Sequence, residues 1–385
     1  MEDSTSGCSR RFNDNRKINM KVLFWVGYSS PNWDKGDWMN NGMGGSEYCV
    51  IKLADHLDLK GHDVTITGDV KTGNWHGVKY IHHNDLLQHR GPRGINKSQH
   101  EVYEHYDVVI AINYLNVFKH LEEALIDYDK AFFWMHNEDF YIWHRGNKLH
   151  EWEQYITHPK LNKIVGVSQY HIDEHIKPRF KALGYTPSQL TTYIHSIDNA
   201  IDLNDYKNRS YQGKIKNRII WSSTPDRGLE LLLDNWAHWK SIVPDLSLEI
   251  CCPPYGVNWM KRDVSKLEDV NWQGNRCPND LKTEIAKAEY WIYCSNYTET
   301  YCITALEMMM GRVKLIHNGT GNLGALIGDT RGTMIEGLDA NNIIQTIVSD
   351  NNNPKPMSDK VAVANTFAME QNWNTRVDEW IDLIT

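Results

Sequence analysis

Residues 218–229 read Arg218-Ile219-Ile220-Trp221-Ser222-Ser223-Thr224-Pro225-Asp226-Arg227-Gly228-Leu229. An apolar run, then a turn of hydroxyls, proline and glycine, then an amphipathic stretch predict a buried parallel strand feeding a helix over Leu229–Ile242. The alternation continues outward. Leu246–Cys251, Tyr290–Cys294 and Lys314–His317 read as strands, and Leu281–Ala288 and a segment running through Glu307–Gly311 as helices. An earlier series has the same rhythm, with strands expected at Lys21–Val26, His62–Thr67, Tyr106–Ile112, Lys130–Met135 and Lys163–Val167. Within it, Gly45–Lys60 places Cys49, Val50, Leu53, Ala54 and Leu57 on one helical face. Gly61 follows as a stop, and Ser168 is a cap for Gln169–Ile176. Alternation of this kind is the signature of open, doubly wound α/β sheets. Two Rossmann-like domains in tandem are expected, joined through Ser196–Gly213, where the pattern breaks. The amphipathic Glu370–Ile384 is expected to form a terminal helix docking across both halves.

A chain of 385 residues is long enough for two such domains. The boundaries expected are 1–19 for a disordered polar leader, 20–200 and 201–367 for the two domains, and 368–385 for the terminal helix. The leader carries Arg10, Arg11, Arg16 and Lys17 and lacks the apolar core of a secretory signal. No run approaches the ~20 apolar residues of a membrane span, although peripheral contact with a membrane stays open. A net charge of −8 argues against a nucleic-acid partner. The seven cysteines are odd in number and without zinc-ligand spacing, as expected of reduced thiols in the cytoplasm.

Four places are candidates for chemistry. Gly42-Met43-Gly44-Gly45-Ser46-Glu47 lies between a strand and a helix, where free N–H groups and the helix dipole favour an anion. A dinucleotide fingerprint would need glycine where Glu47 stands, so a nicotinamide site is not expected. His136 follows the apolar strand ending at Met135, and ligands of open α/β sheets bind at such strand ends. Arg227 opens a helix, where the dipole disfavours a cation unless an anionic ligand accompanies it; its forked donors suit a diphosphate. Glu299 precedes an apolar helix containing Glu307, and a carboxylate amid Ala305, Leu306, Met308 and Met309 needs polar partners such as sugar hydroxyls. Asp127-Tyr128-Asp129 matches the Asp-x-Asp string of metal-dependent transferases but precedes a strand, so it reads as a polar loop.

In order and spacing these segments resemble glycosyltransferase family 4, the retaining enzymes of the GT-B fold, over nearly the whole chain after Met20. The resemblance rests on Gly44-Gly45-Ser46-Glu47, His136, Val167-Ser168, Asn199-Ala200-Ile201-Asp202, Pro225-Asp226-Arg227-Gly228-Leu229 and the Glu299/Glu307 pair. It implies two Rossmann-like domains facing across a cleft, and transfer of a hexose from a UDP- or GDP-sugar to a glycan or other hydroxyl acceptor. It implies that Glu307 holds the donor ribose and Glu299 the donor sugar, and that His136 lies beside the transferred sugar. Arg227 would neutralise the diphosphate with Gly44, Gly45, Ser222, Ser223 and the N–H groups around Thr300 and Tyr301, while the base would rest near Gly274–Arg276. No metal or other cofactor is implied. The family usually has a second cation about five residues before Arg227, where this chain has Trp221 or Ser222. A nucleotide-sugar epimerase of the same fold and a non-catalytic nucleotide-sugar-binding protein are the alternatives.

Overall fold

The computed structural model describes residues 19–29, 31–88, 104–139, 154–207, 211, 213–252 and 263–385. Nearly all of the expected leader, Cys8 included, lies outside the described residues. Two sheets form. The first runs β3 (Gly73–Trp75), β4 (Val78–His82), β2 (Asp63–Gly68), β1 (Lys21–Trp25), β5 (Glu104–Ile112), β6 (Ile126–Met135), β7 (Leu161–Gly166) and β8 (Ile194–Ser196) in spatial order. The second runs β11 (Val270–Trp272), β10 (Ser247–Ile250), β9 (Arg218–Trp221), β12 (Tyr290–Tyr293), β13 (Lys314–His317) and β14 (Thr333–Met334). Every pairing is parallel except β3 with β4. Parallel strands covered on both faces read as near-continuous apolar runs, and β1 and β9 are such runs after their first residues, Lys21 and Arg218.

Strand order reverses between β1 and β5 in the first sheet and between β9 and β12 in the second. Loops leaving the C-terminal ends of neighbouring strands diverge at such a reversal and leave a crevice. The segments singled out in the sequence leave β1, β6, β9 and β12 at those ends.

The helix Trp373–Ile384 returns to the first domain. Trp380 packs edge-on against Trp134 with ring centroids 5.0 Å apart, and Trp373 packs on the same ring at 6.4 Å. Paired backbone hydrogen bonds between Ile201 and the Gln371–Trp373 turn fix its entry.

Three local readings need correction. Asp127 and Asp129 are not in a loop: β6 starts at Ile126 and carries both. They lie at the N-terminal edge of the sheet, away from the crevice, where His105 and Lys160 bind Asp127. The helix after Ser168 is not continuous, because Ile172–Ile176 widens into a π turn before Lys177–Ala182. Pro178 has no N–H for the regular helical bond and crowds the preceding turn, and the Lys177 amide instead reaches the Ile172 carbonyl. Ser196 belongs to β8 rather than to the linker. The short strands β3, β4, β8, β11 and β14 lie toward the sheet edges, where partners compensate for sequences with little apolar pattern.

Candidate active site in the cleft

The helix Gly45–Leu59 starts at Gly44, and the helix Ile303–Met310 starts at Cys302. Neither cap residue offers a side chain to the free N–H groups of its helix. The two mouths meet: a Cβ built on Gly45 would lie 3.4 Å from Ile303 Cδ1. Two positive dipole ends therefore converge, with N–H donors available to an anion.

Arg227 stands beside them. It ends a short 3-10 turn, and Gly228 follows at φ 114°, where a side chain would meet the Cys294 carbonyl at 2.6 Å. The Arg227 guanidinium carbon sits over the Tyr297 ring, 3.1 Å from its centroid, and its Nη1 is 3.7 Å from Glu299 Oε1. The Tyr293 hydroxyl donates to the same Glu299 oxygen. Burial nevertheless raises the Glu299 pKa, against the lowering effects of Tyr293 and Arg227. Trp221, at the position where the resemblance would place a second cation that this chain lacks, is fully buried, stacks on Tyr293, and donates from its indole N–H to the Ser223 carbonyl at 2.6 Å. It serves the core and the loop. Ser222 Oγ is buried nearby with no partner.

Glu307 lies one turn into its helix, between the domains. Burial pushes its pKa up to about 7, with Lys282 pulling down and Asp205 pushing up. Asp205 is part of an ion network crossing the interface. Lys52, from the first domain, reaches Asp202 at 2.9 Å and Asp205 at 3.3 Å, and Lys282, from the second, reaches Asp205 at 3.3 Å.

His136 forms the opposite wall. Its ring lies against Trp134, its Nε2 is buried without a partner, and desolvation, aided by His171, pushes its pKa down to about 3. Asn113 Oδ1 accepts from the His136 amide at 2.7 Å, fixing the strand end. Toward the other end of the cleft, Gly42 packs on the Arg276 carbonyl, and Gly274 turns the chain with φ 71°. The Nε of Arg276 is buried without a partner.

The fold thus gathers Gly44, Gly45, His136, Arg227, Glu299, Thr300 and Tyr301 around the meeting helix mouths. Glu307 and the Gly274–Arg276 turn lie along the domain interface, and Ser222 and Ser223 lie in the β9 loop. Sequence reasoning missed Tyr293, which reaches Glu299 six residues on, and Tyr297, Asn113, Lys52 and Lys282, whose roles depend on strands and helices distant in the chain. Asn113 alone carried a local signal, an asparagine at a strand end that adopts φ 58°.

Among the described residues, two groups of side chains are spaced to hold a metal ion, Asp69 with His82 and His83, and His105 with Asp107 and Asp129. In the first, His83 Nδ1 is 2.9 Å from Asp69 and His82 Nδ1 accepts from the Asn84 amide, so the rings already have hydrogen-bond partners. The second is at the far sheet edge. Neither includes a residue of the Arg227–Glu299 cluster. No helix among the described residues is long and apolar enough to cross a membrane.

No family model matches the sequence, and no curated protein matches it. Solved structures do match in fold. HepE from Anabaena, in complex with UDP and glucose, is 14% identical with a TM-score of 0.65, covering 94% of this chain and 99% of that one. Sucrose-phosphate synthase from Thermosynechococcus elongatus is 12% identical at 0.66, covering 94% and 98%. WaaG, a glycosyltransferase involved in lipopolysaccharide biosynthesis, is 13% identical at 0.64, covering 94% and 99%. The chain therefore has the GT-B fold, two parallel-sheet α/β domains facing across a cleft.

Proposed function

We propose that the protein is a retaining, family-4-like glycosyltransferase that moves a hexose from a UDP- or GDP-sugar to a hydroxyl acceptor. The observation that carries this reading is the convergence of two uncapped helix mouths beside Arg227, with Glu307 further along the second helix. A diphosphate suits the first group, since N–H dipoles and a guanidinium meet its charge at fixed positions. Glu307 suits ribose hydroxyls, which would donate to its carboxylate. Glu299 and His136 would flank the transferred sugar, and the base would lie at Gly274–Arg276.

In the reaction proposed, the bond from the sugar's anomeric carbon to the diphosphate oxygen breaks, and a bond from that carbon to the acceptor oxygen forms on the same face. The acceptor proton passes to the departing phosphate, so no protein nucleophile is needed. Charge grows on the leaving diphosphate, and Arg227 with the preorganised N–H groups would stabilise it. Neutral His136 can hydrogen-bond the sugar without adding charge. The protein's own cation and dipoles take the part a metal would play, so we propose metal-independent transfer in the cytoplasm. Closure of the domains would exclude water.

The test is incubation with UDP-, GDP- and ADP-sugars, with and without mono- and oligosaccharide acceptors, reading released nucleotide and product. Acceptor-dependent release supports transfer. Conversion of the donor sugar without acceptor would indicate an epimerase, and tight binding without turnover a non-catalytic binder. Activity that collapses in EDTA and returns with Mn²⁺ would overturn metal independence.

A further inference from the structure

On the first domain's side of the cleft, a cavity of about 280 Å³ opens at the ends of β1 and β5. Pockets for drug-sized ligands run from about 300 to 1,000 Å³, so this one suits a single ring. Tyr28, Trp33 and Tyr114 give it aromatic walls, and Asn113 and Asn137 are among its polar groups. Among the described residues Glu47 is the one carboxylate lining it, and no Lys or Arg lines it.

The placement of Glu47 is specific. It lies in the first turn of the helix Gly45–Leu59 and folds back over Gly44, whose Cβ, if built, would lie 2.6 Å from Glu47 Oε2. Burial raises its pKa, and only its own amide acts in the other direction; among the described residues no cation opposes its charge. The helix mouth at Gly44 and Gly45, proposed for the diphosphate, lines the same cavity, so Glu47 accepts hydrogen bonds from hydroxyls and disfavours a second anion beside that diphosphate. Across the cavity, the Asn113 oxygen is already used by the His136 and Asn137 amides, so its Nδ2 amino group is the end left for a ligand. Donors and acceptors of this kind, with aromatic faces for C–H surfaces, match an uncharged sugar.

We propose that this cavity selects the acceptor as an uncharged sugar ring with free hydroxyls, and that Glu47 is the specificity-determining residue, accepting from one hydroxyl and rejecting phosphorylated or carboxylated rings. The inference rests on the transferase reading for calling the ring an acceptor.

Saturation-transfer NMR on the full chain with saturating UDP, which occupies the anion site at Arg227 and the helix mouths, tests it using methyl glucoside, mannoside and galactoside against glucose 6-phosphate and methyl glucuronide. At least one neutral glycoside is expected to bind at least tenfold tighter than either anion, and Glu47→Gln is expected to shrink that gap to under about threefold. Equal or tighter binding of the anions, no binding by any neutral glycoside, or a gap unchanged in Glu47→Gln would overturn the proposal. Calorimetry with UDP on the same protein judges the transferase reading separately. Nucleotide binding with no sugar discrimination sinks this inference alone; discrimination without nucleotide binding sinks the transferase reading and leaves the selectivity standing. A thermal melt of Glu47→Gln shows that the variant is folded.

Discussion

The Thr300 hydroxyl donates a 2.7 Å hydrogen bond to the backbone carbonyl of His136, and both residues are buried where the two domains meet. The Thr300 carbonyl in turn accepts from Ser168 Oγ at 2.6 Å. The loop that carries Glu299 is thereby tied to the strand end that carries His136, joining the two walls of the cleft in this conformation. Thr300→Val keeps the shape and removes the donor. A lost hydrogen bond of about 1 kcal/mol corresponds to roughly a fivefold change. We expect kcat/KM for the donor to fall by about that factor, read from steady-state nucleotide release; an unchanged value would show that the tie does not serve turnover.

Arg227 offers a forked set of donors, held over the ring of Tyr297. Arg227→Ala should weaken UDP binding by about 10- to 100-fold, the range expected for losing roughly 1.5–3 kcal/mol of charge-assisted hydrogen bonding. Arg227→Lys should fall between, because the charge remains while the fork is lost. Calorimetry that finds alanine and wild type alike would remove the diphosphate from this position.

Glu307 and Glu299 should separate by ligand. Glu307→Ala is expected to lose donor binding more than Glu299→Ala, and equal, intact binding in both would refute the ribose assignment. The pH dependence has a definite sign. With a pKa of about 7, Glu307 becomes protonated as pH falls from 8 to 6 and is a poorer acceptor for hydroxyls. Affinity for UDP-glucose, which itself has no group titrating there, should therefore fall over that interval, and Glu307→Gln should flatten the profile.

The same residue predicts a stability trade. A carboxyl raised from its ordinary value to about 7 leaves stability untouched below the unfolded pKa. Its cost grows as pH rises from there toward 7 and is complete above. Glu307→Gln should raise the melting temperature, more at pH 8 than at pH 5, while donor binding weakens. A uniform shift at both pH values would mean that the gain has nothing to do with charge.

Trp380 is fully buried and joins the terminal helix to Trp134. Truncation of a buried aromatic costs about 3–5 kcal/mol. Trp380→Ala should lower stability by that order in urea titration, and a loss under about 1 kcal/mol would show the helix to be dispensable.

Much of this protein was legible along the chain. The apolar run at Arg218–Trp221, the turn through Gly228 and the periodicity of Leu229–Ile242 are local properties, and each formed the expected element. Pattern alone also placed Arg227 and Glu299 at loops leaving strands. It misread Asp127 and Asp129, because two acids on a strand look like a loop until partners such as His105 and Lys160 are in place. The tertiary structure decided what no window of sequence contains. Gly45 faces Ile303, Tyr297 backs Arg227, and Lys52 and Lys282 share Asp205. Secondary structure follows from short-range sterics and hydrophobic periodicity. The surroundings that shift Glu307 and His136 arise from burial between elements more than a hundred residues apart, and burial exists only once both domains have closed around them.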